Sequence, residues 1–496
     1  MNFILHHVPA LVVIVPLMAA PVCVLIRHAE ICWAWATLVA ISTFGLSILL
    51  LQRVLQDGIL DYKLGDWDAP WGIVYRVDEL GALVILIVAV IASVVLPYAY
   101  RSVAREIPRE RHYLAYCMIL LCLAGLIGMA VTGDAFNLFV FLEVSSLATY
   151  VLISLGSDRR ALTAALRYLI LGTLGATFYV IGLGMLYMMT GSLNMTDLAN
   201  LLPAVQNTGT VHAALAFIVV GFGLKLAMFP LHVWLPNAYT YAPSAVTAFV
   251  AATSTKVAVY SLIRLIFTVF GDIDPLEAYG VRGVVMAFAV AGMFAGSLIA
   301  IYQDNVKRLL AYSSVAQVGY MLLGISMGNA LGVAGGIVHL FNHALMKGGL
   351  FLAFGCVWYV VGSVKLEDMA GLGKRMPLTA AAIVAGGFSL IGVPLTVGFI
   401  SKWYLVAGAF ASGWWPLAIL IMLSSLLAVI YVWRIVEMMY FRNAPVGHDS
   451  KSEEAPISLL IPTYVLIGAS FYFGIDATFT GDLAMSAANT LLGGSK

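Results

Sequence analysis

The stretch AFNLFVFLEVSSLATYVLI, residues Ala135–Ile153, carries a single charged residue, Glu143, near its centre. A carboxylate in an otherwise apolar helix is costly in a soluble core and rarer still in a bilayer. Composition decides between the two settings. The chain has 496 residues, 62% of them hydrophobic and 10% charged, with a mean hydropathy of +0.98. Ordinary soluble domains are roughly one-quarter charged. Apolar runs recur along the whole length, each near the ~20 residues that cross a bilayer as a helix. The setting is a membrane.

Hydropathy places about fourteen spans, near 9–26, 31–52, 77–100, 112–132, 134–155, 161–190, 210–235, 243–270, 281–303, 306–327, 329–361, 377–411, 414–440 and 456–478. The fold class expected is an all-α polytopic membrane protein with no soluble domain between spans. The first run, 9–26, lacks a basic n-region and reads as a span rather than a cleavable signal. Loops after odd-numbered spans hold Arg27, Arg101, Arg105, Arg109, Arg111, Arg159, Arg160, Lys307, Arg308, Lys365, Lys374, Arg375, Arg442 and Lys451. Loops after even-numbered spans hold Arg53, Lys63, Arg76 and Arg282. The positive-inside rule puts the first set in the cytoplasm and both termini outside, in a bacterial inner membrane.

Some classes of function are excluded. A net charge of +1 offers nothing to a nucleic acid. Cys23, Cys32, Cys117, Cys122 and Cys356 lie in or beside apolar runs without metal-ligand spacing, and read as small buried hydrophobes. No cluster-binding cysteine pattern and no nucleotide fingerprint after a strand occurs, so no cofactor and no bond chemistry are expected.

The informative residues are the charges inside spans. Arg167, Arg264 and Arg434 sit close enough to span ends to snorkel, and Glu437, three residues after Arg434, is its expected helix-surface partner. Lys225, Lys256, Lys347 and Lys402 are far from ends. Glu143 lies nine residues after Asp134, about 14 Å along a helix, near the middle of a ~30 Å apolar layer. Buried ion pairs are poor stabilisers, so midplane ionisable groups on several spans point to conduction rather than scaffolding.

Span eleven, VHLFNHALMKGGL, puts His339, His343 and Lys347 at i, i+4 and i+8 on one face, the spacing of a relay. No carboxylate or thiolate accompanies the two histidines, so no metal site is expected. His232 is a weaker candidate element. Spans seven (GFGLKLAMFPLHVWLP) and twelve (GGFSLIGVPLTVGFISKWYL) are interrupted at Pro230 and Pro394, each near a lysine. They are five apart in span order, an odd offset, so they cross in opposite directions, as inverted repeats do. The organisation expected is an N-terminal segment 1–111, a first repeat 112–270 (spans 4–8), a second repeat 281–440 (spans 9–13), and a loop, last span and tail 441–496.

The segments FVFLEVSSLATYVLI (139–153), GLKLAMFPLHVWLPNAYTYAPSAVTAF (223–249), QDNVKRLLAYSSVAQVGYMLLG (303–324), HLFNHALMKGGLFLAFG (339–355) and GLGKRMPLTAAAIVAGGFSLIGVPLTVGFISKWYL (371–405) resemble the antiporter-like family. That family includes large membrane subunits of complex I and of Mrp-type Na+/H+ antiporters, and the resemblance covers roughly 75–440. It implies that Glu143 and Lys225 form the carboxylate–lysine pair of a first half-channel. Lys256 would be the connecting residue, His339 and His343 the span-eleven relay, and Lys402 the terminal lysine of a second half-channel. Length, span number and the lysine in GFISKWYL point to the D branch of Mrp antiporters, a secondary transporter component rather than an enzyme. Expected partners are the other Mrp subunits (A, B, C, E, F and G types), membrane lipid, and transported H+ and Na+. The alternative left open is the proton-translocating subunit of a complex I-like NADH:quinone oxidoreductase or of a membrane-bound hydrogenase-type complex.

Overall fold

The computed structural model describes residues 2–271, 280–443 and 453–493. Nineteen helices account for nearly all of it, and twelve are long and apolar enough to cross a membrane. The N-terminal part holds α1 (Asn2–Ile26), α2 (Ala29–Asp57) and α3 (Glu79–Glu106). Next come α4 (His112–Val131), α5 (Ala135–Ser154), α6 (Arg159–Thr190), α7 (Met195–Leu201), α8 (Gly209–Lys225), α9 (Leu235–Tyr241) and α10 (Ser244–Arg264). The second half holds α11 (Val281–Ile301), α12 (Val306–Ser326), α13 (Ala330–Val361), α14 (Leu372–Arg375), α15 (Pro377–Ile391), α16 (Val397–Ala411) and α17 (Trp415–Phe441). The chain closes with α18 (Ile457–Ile475) and α19 (Thr478–Leu491).

Two crossings are built from half-helices, α8 with α9 and α15 with α16, at the positions of spans seven and twelve. With the twelve long helices they make up the fourteen expected. Each interruption is wider than one missing hydrogen bond: residues 226–234 and 392–396 are irregular, and Pro230 and Pro394 lie inside them. Proline removes an N–H donor and cannot continue the ladder, so the chain uses the neighbouring residues to turn.

Helix starts follow from capping side chains. Asp78 accepts from Gly81 N at 2.9 Å, Asp134 from Asn137 N at 2.6 Å, Asn305 from Arg308 N at 3.1 Å and Asn329 from Gly332 N at 2.8 Å. The centre is formed by α10, α12 and α13. α13 packs against α10, α12, α16, α18, α19, α15 and α3, and every residue from Gly332 to Val357 on it is buried. By contrast only about a third of the residues of α6 and α17 are buried, as helices with one face toward lipid should show.

Four features depart from the sequence expectations. The polar insertion after α2 contains an antiparallel hairpin, β1 (Leu60–Lys63) with β2 (Val74–Val77), tied to the α4–α5 turn by Gly133 N donating to Val74 O at 2.9 Å. The tail forms α19, which packs on α13 and α3. Arg264 does not snorkel: α10 is enclosed by protein, and Arg264 pairs with Asp78 and donates to Tyr260 Oη at 3.0 Å. Arg434 does not pair with Glu437: it turns to Ile301 O, the end of α11, and to Asp304 at 3.4 Å, while Arg442 takes Glu437 at 2.7 Å. The last carbonyls of a helix lack helical partners and accept from a nearby arginine, and a surface pair with Glu437 would add little. The loop charge Lys451 lies outside the described residues.

Candidate functional site

Glu143, Ser146 and Tyr150 fall at i, i+3 and i+7 on α5, so they share one face. Lys225 is the last residue of α8, at the negative end of a half-helix. Its Nζ donates to Ser146 Oγ at 2.8 Å, and to Glu143 Oε1 and Tyr150 Oη at 3.4 Å each. The irregular segment after Lys225 is anchored by Trp234 Nε1 donating to Leu224 O at 2.8 Å. The first half therefore holds one carboxylate–ammonium pair in contact, with two hydroxyls on the same ammonium.

Lys256, on α10, donates to Ala251 O and to Thr255 Oγ1 at 3.4 Å, both on its own helix. Its helix packs against α13, which carries His343 and Lys347. On α13 the His339 and His343 rings stack, with centroids 6.0 Å apart and planes within 7°. His339 Nδ1 meets Ser401 Oγ at 2.8 Å, and Tyr320 lies 5.5 Å from its ring. Lys347 turns toward α12, donating to Leu310 O at 2.8 Å and to Ser313 Oγ. Lys402, on α16, donates to Ile391 O at 2.6 Å, Ser425 Oγ at 2.8 Å and Leu390 O at 3.3 Å, with the Tyr320 ring 5.2 Å away. His232 stacks on Phe229 in the first break, 5.4 Å between centroids, with the Tyr312 ring of α12 6.1 Å away.

Thus Glu143 and Lys225 form one contact, His339 and Lys402 both face Tyr320, His343 stacks on His339, and Lys256 and Lys347 sit on helices packed against one another. Buried polar atoms on α9, α10, α12 and α13 make no hydrogen bond to protein: both ring nitrogens of His343, His339 Nε2, Gln317 Oε1, Asn342 Oδ1, Ser254 Oγ and Tyr239 Oη. Buried polar groups are normally paired with protein or with water.

The model of the transmembrane region shared by NADH:quinone oxidoreductase and the Mrp antiporter matches residues 132–428. This chain belongs to that family. The NADH-quinone oxidoreductase/Mrp antiporter likeness extends over nearly the whole chain. NADH-quinone oxidoreductase subunit N of Desulforudis audaxviator is 43% identical over 93% of this chain and 94% of its own length. The Na(+)/H(+) antiporter D subunit of Bacillus subtilis is 33% identical over 92% of each. Among solved structures, a chain of the membrane-bound sulfane sulfur reductase, an archaeal respiratory membrane complex, superposes with a TM-score of 0.90 at 30% identity, covering 98% of both chains. The protein is a multi-pass membrane subunit of an Mrp antiporter or complex I-like complex.

The structure adds residues that the sequence of this family member does not single out. Glu106 is buried at the end of α3 and accepts from Ser102 Oγ at 2.6 Å, Ser244 N at 2.8 Å and Ser244 Oγ at 3.1 Å. Lys307, also buried, donates to Ala242 O at 3.1 Å. Both line a cavity of about 240 Å³ at the arginine-rich end, beside a larger one of about 710 Å³ that reaches Arg308, Lys365 and Arg434. Flanking arginines in the sequence disguised Glu106 as a loop residue. The hydroxyls of Ser146, Ser313 and Ser425, one on each of three buried lysines, had no sequence signal beyond the SS pair that precedes Tyr150 and Tyr320.

Proposed function

We propose that this chain conducts protons, coupled to a monovalent cation, as the D-type component of a multisubunit Mrp-like Na+/H+ antiporter in the bacterial inner membrane, with both termini outside. The observation that carries the reading is the Glu143–Lys225 contact at 3.4 Å inside an apolar helix pair. At an effective dielectric of about 20, the attraction at that separation is on the order of 5 kcal/mol, and doubling the distance halves it. Opening and closing the pair therefore changes the free energy of holding a proton on Lys225 by on the order of 2–3 kcal/mol.

The remaining groups supply a route. Lys256 in the first half leads on to Lys347, His343, His339 and Lys402 in the second. The unpaired polar atoms between them are the donor and acceptor sites that a file of water molecules uses. Imidazole accepts on one nitrogen and donates from the other, which suits His339 and His343 to hand a proton on.

A second reading, the redox-driven pump subunit of a complex I-like machine, is favoured by the 43% identity to a NADH-quinone oxidoreductase subunit N. Purification with native partners distinguishes the two. Small antiporter subunits among the co-purifying proteins support the antiporter, and cluster- or quinone-binding subunits support the pump. In vesicles holding the complex, Na+-driven pH change that Glu143→Gln eliminates supports conduction through this chain.

A further inference from the structure

Lys402 occupies a cage of neutral oxygens. Leu390 and Ile391 end α15, so their carbonyls have no helical partner, and Gly392 (φ +91°) turns the chain away behind them. These two carbonyls and Ser425 Oγ surround the ammonium at 2.6–3.3 Å. The Ser425 hydroxyl in turn donates to Ile391 O at 2.7 Å, which leaves its oxygen lone pairs facing Lys402. Ser389 Oγ, in the same last turn of α15, is buried and has no hydrogen-bond partner. The site also sits at the negative end of a half-helix, which favours a positive charge.

Among the described residues no acid forms an ion pair with Lys402. The titratable groups around the cage are Tyr320 on α12, His339 on α13, joined to Ser401, and Tyr431 on α17, which lines a small gap with Leu390. Carbonyl and hydroxyl oxygens at a helix break are the ligand type used for alkali cations in membranes. Without a carboxylate the set solvates a single charge through its dipoles, and a divalent ion would be left uncompensated.

We propose that this cage is a monovalent-cation site, for which Na+ or K+ competes with the protonated side chain of Lys402. The inference rests on the antiporter reading and deepens it. In the exchange, an N–H bond of Lys402 breaks, the proton passes to water, and the neutral amine withdraws from the oxygens as the cation takes its place. The cage carries one positive charge before and after. Proton and cation therefore exclude each other at a single place, which is the requirement for exchanging them.

The test is radiolabelled Na+ binding to the purified native complex, with K+ and choline as competitors, across neutral to alkaline pH. In the wild type, affinity rises about tenfold per pH unit while Lys402 is protonated. Lys402→Met removes the competitor, so binding tightens at neutral pH and loses that slope. Ser425→Ala, which keeps Lys402, weakens binding at least about fivefold at alkaline pH. K+ displaces the label if the cage accepts both alkali cations, and choline does not. Lys402→Met with an unchanged pH slope, or Ser425→Ala with unchanged affinity, overturns the cage. Absence of binding in all forms while Glu143→Gln still stops proton movement overturns the cage alone. Proton movement that survives Glu143→Gln overturns the conduction reading beneath it.

Discussion

Lys225 and Glu143 are in contact but unequally placed: the lysine side chain is 5% exposed and the glutamate 22%. The ammonium is fixed by a serine and a tyrosine hydroxyl as well as the carboxylate, whereas among the described residues the salt bridge is the one contact that holds the Glu143 carboxylate. The glutamate is therefore the end of the pair free to move.

That asymmetry makes Glu143 the control point. Glu143→Gln keeps the shape and removes the charge, and should lower cation-dependent proton movement in everted vesicles at least tenfold with assembly intact. Glu143→Asp, shorter by one methylene, should retain partial activity because the carboxylate can still swing toward Lys225. Wild-type transport by an assembled Glu143→Gln complex would show that the pair is structural.

Lys402 separates proton exchange from charge. Lys402→Arg keeps a cation beside Leu390 O, Ile391 O and Ser425, but guanidinium does not release its proton on the working timescale. Transport should fall at least tenfold in Lys402→Arg and in Lys402→Ala alike, measured as Na+- and K+-dependent pH changes at matched protein level. Near wild-type rates in the arginine variant would exclude proton release at this position.

The second break depends on a close approach. A Cβ on Gly398 would collide with Ser389 O and come within 3.2 Å of Gly392 Cα. Gly398→Ala should push α16 away from the end of α15, costing about 1–3 kcal/mol as overpacking does, and disturb the carbonyls around Lys402. A lowered melting temperature together with lost transport is expected. An unchanged melting temperature would mean that the half-helices can separate freely.

On the opposite side, Arg264 and Asp78 join α10 to the start of α3. Arg264→Met strands a part-buried carboxylate and should destabilise by about 1–3 kcal/mol, less than the loss of a fully buried partner. Adding Asp78→Asn should recover a large part of that loss, because the stranded charge is gone. Thermal unfolding of the single and double variants measures the coupling, and additive losses would deny that the two residues act as a pair.

Sequence alone was sufficient wherever the bilayer imposes a rule. Spans follow from hydropathy, the two interruptions from Pro230 and Pro394, and the partnership of Glu143 with Lys225 from the family resemblance. What stayed hidden depends on contacts between distant segments. Arg264 looked like a snorkelling residue because nothing local says that α10 is enclosed by neighbours. Arg434 found the end of α11 rather than Glu437, and Glu106 found Ser244, more than a hundred residues away. The breaks were legible as prolines but not as stretches of several residues, since their width is set by how the half-helices pack. α19 escaped notice because a short helix with a polar face carries no hydropathy signal.

The enclosure of α13 has an evolutionary corollary. A helix that touches lipid on one side can accept many apolar substitutions there, since acyl chains fit around any of them. From Gly332 to Val357 α13 has no such side, so each change must be matched by one on a neighbouring helix. Its sequence should therefore drift in correlated steps, while α6 and α17 diverge freely. In a saturation library selected for transport, α13 should be the least permissive stretch of the chain, including at positions that carry no proton.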